Sequence, residues 1–261
     1  MLLILIAAPV VASTWVEPQL GAGASLLMDT RTGRILYARQ SHRRMAPAST
    51  TKIATALVVI ERLSPDAVVT VGRTAATVRR GAWIGLRAGE RWTVSDLLHA
   101  MMLRSANDAA VALAEAVAGS VPRFAALMNA RARRAGARST QFVNPHGWDD
   151  PHHYTTAYDL ALIARDALRH PRFAALVRAR TWVWEGPGRP RDALPNRNAF
   201  LERYPGADGV KTGQTAAAGH TFVGSATRDG WQLLTVLLRR DDVYGAAATL
   251  LDYGFAAFRP V

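Results

Sequence analysis

Residues 47–60, Pro47-Ala48-Ser49-Thr50-Thr51-Lys52-Ile53-Ala54-Thr55-Ala56-Leu57-Val58-Val59-Ile60, open on a chain breaker and continue as a helix. Ile53, Ala56, Leu57 and Ile60 recur at helical spacing. Val58 and Val59 widen the apolar face, so the helix is expected to be mostly buried. At its start, Ser49 and Lys52 stand three residues apart and share one face. A serine hydroxyl is a weak nucleophile that needs an adjacent base. A buried lysine can lose its proton and serve as that base. The helix N-terminus adds free N–H groups and partial positive charge, which favour a developing anion.

The chain holds 32 Lys and Arg residues, and only Lys52 and Lys211 are lysine. Arginine stays protonated at any working pH, so a position that must give up a proton cannot use it. Lys211 belongs to Lys211-Thr212-Gly213. Between the two lysines, Ser105-Ala106-Asn107 falls where a helical pattern pauses.

Working outward, Ala24 to Met28 and Arg34 to Ala38 read as strands joined by the turn-rich Asp29-Thr30-Arg31-Thr32-Gly33. Thr93-Val94-Ser95-Asp96 is a capping-box pattern ahead of an apolar run. That helical region spans 93–119 with its pause at 105–107. Residues 122–135 and 156–180 also read as helices. Val210 to Gln214, Thr221 to Thr227 and Trp231 to Leu238 read as strands, with Arg228-Asp229-Gly230 as a hairpin turn. A last helix is expected from Val243 to Phe258, and Glu185 to Asn198 is the one loop-rich stretch. Strands at both ends with helices between them give a mixed α/β class.

Ser-x-x-Lys, Ser-x-Asn and Lys-Thr-Gly, in this order, resemble the motif set of penicillin-binding proteins and class A β-lactamases. Four wider stretches narrow the resemblance to low-molecular-weight D-alanyl-D-alanine carboxypeptidases. They are Pro47 to Lys52, Ser105 to Ala110, Phe142-Val143-Asn144-Pro145-His146-Gly147 and Asp208 to Gly213. The likeness covers roughly residues 22 to 240. Ala106 stands where that family usually has Gly. The resemblance implies a penicillin-binding-protein/β-lactamase-like fold: an antiparallel sheet flanked by helices, with an inserted all-helical subdomain at about 65–165. It implies that Ser49 attacks the carbonyl between two terminal D-alanines, Lys52 takes its proton and Ser105 relays it. Asn107 is expected to hold Lys52 and the substrate amide. Lys211, Thr212 and Thr215 are expected to bind the terminal carboxylate. The backbone N–H groups of Ser49 and Gln214 are expected to hold the oxyanion, and Gly213 to let the strand approach the substrate. Peptidoglycan pentapeptide and β-lactams are the implied partners, and no cofactor is expected. Cleavage of cross-links, or class A β-lactamase chemistry, is the alternative. The latter uses a Glu between the second and third motifs. Here no Glu occurs from Ala116 to Trp184, which leaves Glu115 and Glu185 outside that gap.

The bulk properties set further expectations. With 49% hydrophobic residues in 261, the chain can bury a large core. The formal net charge is +12. That favours polyanionic surroundings, but no base-stacking motif accompanies it, so nucleic acid is not expected. Val210 separates Gly209 from Lys211, so there is no phosphate loop. His146, Asp149, Asp150, His152 and His153 crowd one loop, yet match no metal-ligand spacing. There is no cysteine, hence no disulfide. Leu2 to Ala12 has the length of a signal-peptide apolar region, too short to span a bilayer. We therefore expect an exported chain, with residues 1–12 as leader and 13–261 as the peptidase domain. No C-terminal β-rich domain or membrane anchor is expected. Trp83 and Trp148 are candidates for lining a glycan groove.

Overall fold

The computed structural model describes residues 16–184, 186–188 and 191–260. The expected leader at 1–12 and Glu185 lie outside these. In chain order the elements are β1 (Ala24–Asp29), β2 (Ile35–Arg39), a 3-10 turn (Ala48–Thr51), α1 (Lys52–Ile60), β3 (Val68–Thr70), α2 (Arg73–Ala76), β4 (Arg91–Thr93), α3 (Val94–Leu103), α4 (Asn107–Ala118) and α5 (Val121–Arg134). They continue with α6 (Ala157–Leu168), α7 (Pro171–Arg178), β5 (Thr181–Trp184), β6 (Asp192–Pro195), α8 (Phe200–Arg203), β7 (Ala207–Thr215), β8 (Gly219–Arg228), β9 (Trp231–Leu238) and α9 (Val243–Ala257).

The main sheet is antiparallel, in the order β2-β1-β9-β8-β7. It is covered on both faces, so its central strands β1, β9 and β8 are buried along most of their length. Side chains still alternate. Leu27, Phe222, Leu233 and Leu237 pack with Val243, Ala247, Leu250 and Leu251 of α9 on one face. Leu26, Met28, Leu234, Val236 and Leu238 enter the larger core on the other, with α1, α3, α4 and α6. Every residue of α1 is buried. Each leucine-sized side chain so buried contributes roughly 1.5–3 kcal/mol. The β8–β9 hairpin turns on Asp229 and Gly230, both at positive φ (49° and 76°), as a two-residue turn between right-twisted strands requires.

Three expectations need correction. Strands are not confined to the two ends: β3 pairs with β4, and β5 with β6, as two small ribbons among the helices. β6 lies in the stretch read as loop, Glu185 to Asn198. The helix read over 156–180 is two, α6 and α7, separated at Arg169-His170 with Pro171 opening the second, because proline supplies no N–H to continue a helix. Among the described residues no single helix is long and apolar enough to cross a membrane.

Candidate active site

The cleft forms where the start of α1, the junction of α3 and α4, and the edge strand β7 meet. It encloses about 410 Å³, and Ser49, Ser105, Asn107, Thr212, Gly213, Gln214 and Thr215 line it. Lys52 and Lys211 stand behind its wall, 0% and 2% exposed.

Lys52 Nζ lies 3.0 Å from Ser49 Oγ, 2.7 Å from Asn107 Oδ1 and 2.8 Å from the His146 carbonyl. The amide of Asn107 is oriented by its other end, whose Nδ2 donates to the Arg80 carbonyl at 2.8 Å. Two of the three partners of Nζ are therefore acceptors only. A neutral amine has two N–H bonds and one lone pair. Its N–H bonds go to Asn107 and His146, and the lone pair is left facing the Ser49 hydroxyl. Burial, and then the neighbouring charge of Lys211, hold the Lys52 pKa well below its ordinary value of 10.5, with Asp108 opposing. The site thus favours an amine able to accept the serine proton.

The sequence folds this way because the start of α1 is fastened on both sides. The Pro47 carbonyl accepts from Thr50 Oγ1 at 2.6 Å and from Thr221 Oγ1 of β8 at 3.0 Å. Thr55 Oγ1 donates to the Pro145 carbonyl at 2.6 Å, which seats the 145–148 loop on the helix. On the sheet side, a Cβ at Gly213 would come 2.8 Å from Ser49 N and 2.4 Å from Thr221 Oγ1. Only glycine lets β7 press this closely on the nucleophile turn. Since β7 is the edge strand, alternate peptide groups face the cleft, beside N–H groups that the first turn leaves without intrahelical partners.

The family model of the D-alanyl-D-alanine carboxypeptidases matches residues 11–242. The chain belongs to this family. The D-alanyl-D-alanine carboxypeptidase DacD of Salmonella typhimurium is 35% identical over 259 residues, covering 94% of this chain and 65% of the relative. The chain spans 63% to 66% of the length of the first curated relatives it matches. Among solved structures, a D-alanyl-D-alanine carboxypeptidase from Mycobacterium tuberculosis superposes with a TM-score of 0.88 at 33% identity, covering 95% of this chain and 96% of that one. A point variant of the Streptomyces K15 DD-transpeptidase superposes at 0.87 and 30%, covering 92% and 100%. The fold is that of the penicillin-binding-protein DD-peptidases.

In this carboxypeptidase-family chain, Ser105 sits at φ +64°, the left-handed region that side chains avoid. The conformation costs roughly 1–2 kcal/mol and turns the chain from α3 into α4 beside the cleft. Among the described residues no protein group holds the Ser105 hydroxyl. Lys211 Nζ donates to the Thr212 carbonyl at 3.0 Å, and its pKa is pushed down to about 7 by burial and by Arg197. Arg197 lines the cleft, yet nothing in its local sequence marked it, because the loop after β6 brings it there. The hydroxyl of Thr215 is engaged by the Asp149 carboxylate, which also accepts from Ala217 N at 3.1 Å. Thr215 therefore joins the end of β7 to the 144–153 loop.

The crowded histidine loop spends its side chains on structure. His153 Nδ1 accepts from Val143 N at 3.1 Å, which leaves the Nε2 proton for Thr51 Oγ1 at 2.9 Å. Burial holds the His153 pKa at about 4, and burial with the Lys52 charge holds His146 at about 3. No group of three or more His, Cys, Asp or Glu converges as a metal site among the described residues. Trp148 lines the cleft, whereas Trp83 is 47% exposed with the Arg79 guanidinium over its ring.

Proposed function

We propose that this chain is a serine-type D-alanyl-D-alanine carboxypeptidase that trims peptidoglycan stem peptides, and that β-lactams acylate it. The observation that carries the reading is Lys52, fully buried, with Nζ 3.0 Å from Ser49 Oγ and its pKa held well below the ordinary value by burial. Ser49 Oγ attacks the carbonyl of the D-Ala-D-Ala peptide bond while Lys52 takes its proton. The oxyanion is held by the N–H groups of Ser49 and Gln214, each such donor stabilising the transition state by about 3 kcal/mol. The C–N bond then breaks, and the proton passes from Lys52 through Ser105 to the leaving D-alanine amine. Water adds to the ester in the reverse sense and frees the shortened peptide. Asn107 holds Lys52 and the substrate amide. Lys211 and Thr212 hold the terminal carboxylate, and Thr215, whose hydroxyl proton goes to Asp149, fixes the end of β7 beside it. The substrate places the enzyme outside the cytoplasm, with residues 1–12 as its export leader.

A second reading, acyl transfer to an amine, is favoured by the likeness to a DD-transpeptidase that this chain covers in full. One assay separates the two. Free D-alanine and shortened peptide from a pentapeptide, without an added amine, support the carboxypeptidase. Product only in the presence of an acceptor amine supports transfer, and release of neither overturns both.

A further inference from the structure

The cleft has a lip, residues 80–86, that folds over the start of α4. Its carbonyls face Asn107: the Arg80 carbonyl accepts from Asn107 Nδ2 at 2.8 Å and the Ala82 carbonyl from Asn107 N at 2.8 Å. Its N–H groups face the next residue. The Asp108 carboxylate accepts from Ile84 N at 3.1 and 3.2 Å, Gly85 N at 2.9 Å and Leu86 N at 3.1 Å, and also from Ala109 N at 3.0 Å. Asp108 is fully buried. A buried carboxylate needs such donors, and its place in the first turn of α4 adds the helix dipole. Gly81 and Ala82 form part of the cleft wall. A Cβ at Gly81 would come 2.8 Å from Asn107 Nδ2, so the lip has no slack against that amide. The lip thus gives Gly81 and Ala82 to the cleft wall and orients the Asn107 amide through the Arg80 carbonyl, and one carboxylate fastens its far end.

We propose that Asp108 is a positioning residue that clamps the 80–86 lip, and through it the Asn107 amide, against Lys52. It touches no substrate. When the clamp is released, the Arg80 carbonyl leaves Asn107 Nδ2, the amide turns, and Lys52 loses the acceptor that directs its lone pair at Ser49. The effect belongs to acylation, so it falls on kcat/KM for peptide and on the second-order rate of penicillin acylation together. The charge of Asp108 also supports the proton on Lys52, against Lys211 behind the site and beside the neutral His146 and His153 rings. Loss of that charge moves the acid limb of the acylation profile to lower pH, which a role confined to fold stability would not do.

This proposal rests on the Ser49 reading, and the test keeps the two apart. Asp108→Asn preserves shape but replaces the acceptor that the lip N–H groups share. We expect a folded protein, penicillin acylation at least tenfold slower, an acid limb at lower pH, and faster hydrogen exchange at amides 84–86 with the second half of α4 unchanged. If Asp108→Asn does not fold, Ile84→Pro removes one of the donors from the lip side and is expected to slow acylation in the same direction. Acylation within twofold of wild type, in whichever variant folds, overturns the clamp while labelling of Ser49 in the wild type leaves the parent reading standing. Absence of Ser49 labelling in the wild type removes the parent reading instead.

Discussion

At the scale of single residues, everything turns on the state of one amine. Lys52 has two acceptor-only neighbours and one hydroxyl neighbour, and burial removes the water that would keep it charged. Arginine at this position keeps a positive charge but cannot give it up. Lys52→Arg is therefore expected to slow acylation by roughly 100- to 10,000-fold, read as the rate of covalent labelling by a fluorescent penicillin. Labelling near the wild-type rate would exclude Lys52 as the base. This part of the site was legible in the sequence because two lysines stood out among so many arginines. Their spacing to Ser49 and Gly213 is local. What was not legible were the groups contributed across the fold. The His146 carbonyl and the Arg80 carbonyl act as backbone, which no side-chain motif records. Arg197 reaches the cleft from the loop after β6, and Asp149 meets Thr215 at the end of β7 from the loop before α6.

At the scale of elements, the decisive contact is β7 against the turn that precedes α1. Gly213→Ala places a methyl 2.8 Å from Ser49 N, where backbone and not a flexible side-chain end must yield. Acylation is expected to fall about 100-fold, the magnitude of losing an oxyanion donor, while circular dichroism stays that of the wild type. An unchanged rate would show that the strand can retreat without cost. Strand and helix existence followed from periodicity: β8, β9 and α9 lie close to where their patterns put them. The small ribbons escaped detection for a physical reason. β3 and β4 are three residues each and β5 and β6 four, too short for a period-two signal, and they persist only because helices pack beside them.

At the scale of the whole molecule, two histidines, His153 buried and His146 half-buried at the cleft, tie stability to pH. The ordinary histidine pKa is 6.5, and in the folded protein His153 lies at about 4 and His146 at about 3. Between those values and 6.5 the unfolded chain binds more protons than the native one. Stability is therefore fully present above pH 6.5 and declines as pH falls through that window. The melting temperature is expected to drop between pH 7 and pH 4.5, and to drop less in His153→Gln, which has no proton to gain. An equal drop in that variant would assign the acid sensitivity to carboxylates instead. The Arg-rich surface that gives a net charge of +12 did not locate the site; the cleft was marked by the cations that are not arginine.

The most direct test is the mass of the intact protein after exposure to penicillin. The wild type is expected to gain the mass of one penicillin, mapped by proteolysis to the peptide containing Ser49, and Ser49→Ala to gain nothing. An adduct that persists in Ser49→Ala, or one found on a different peptide, would contradict the role given to the hydroxyl and to the amine behind it.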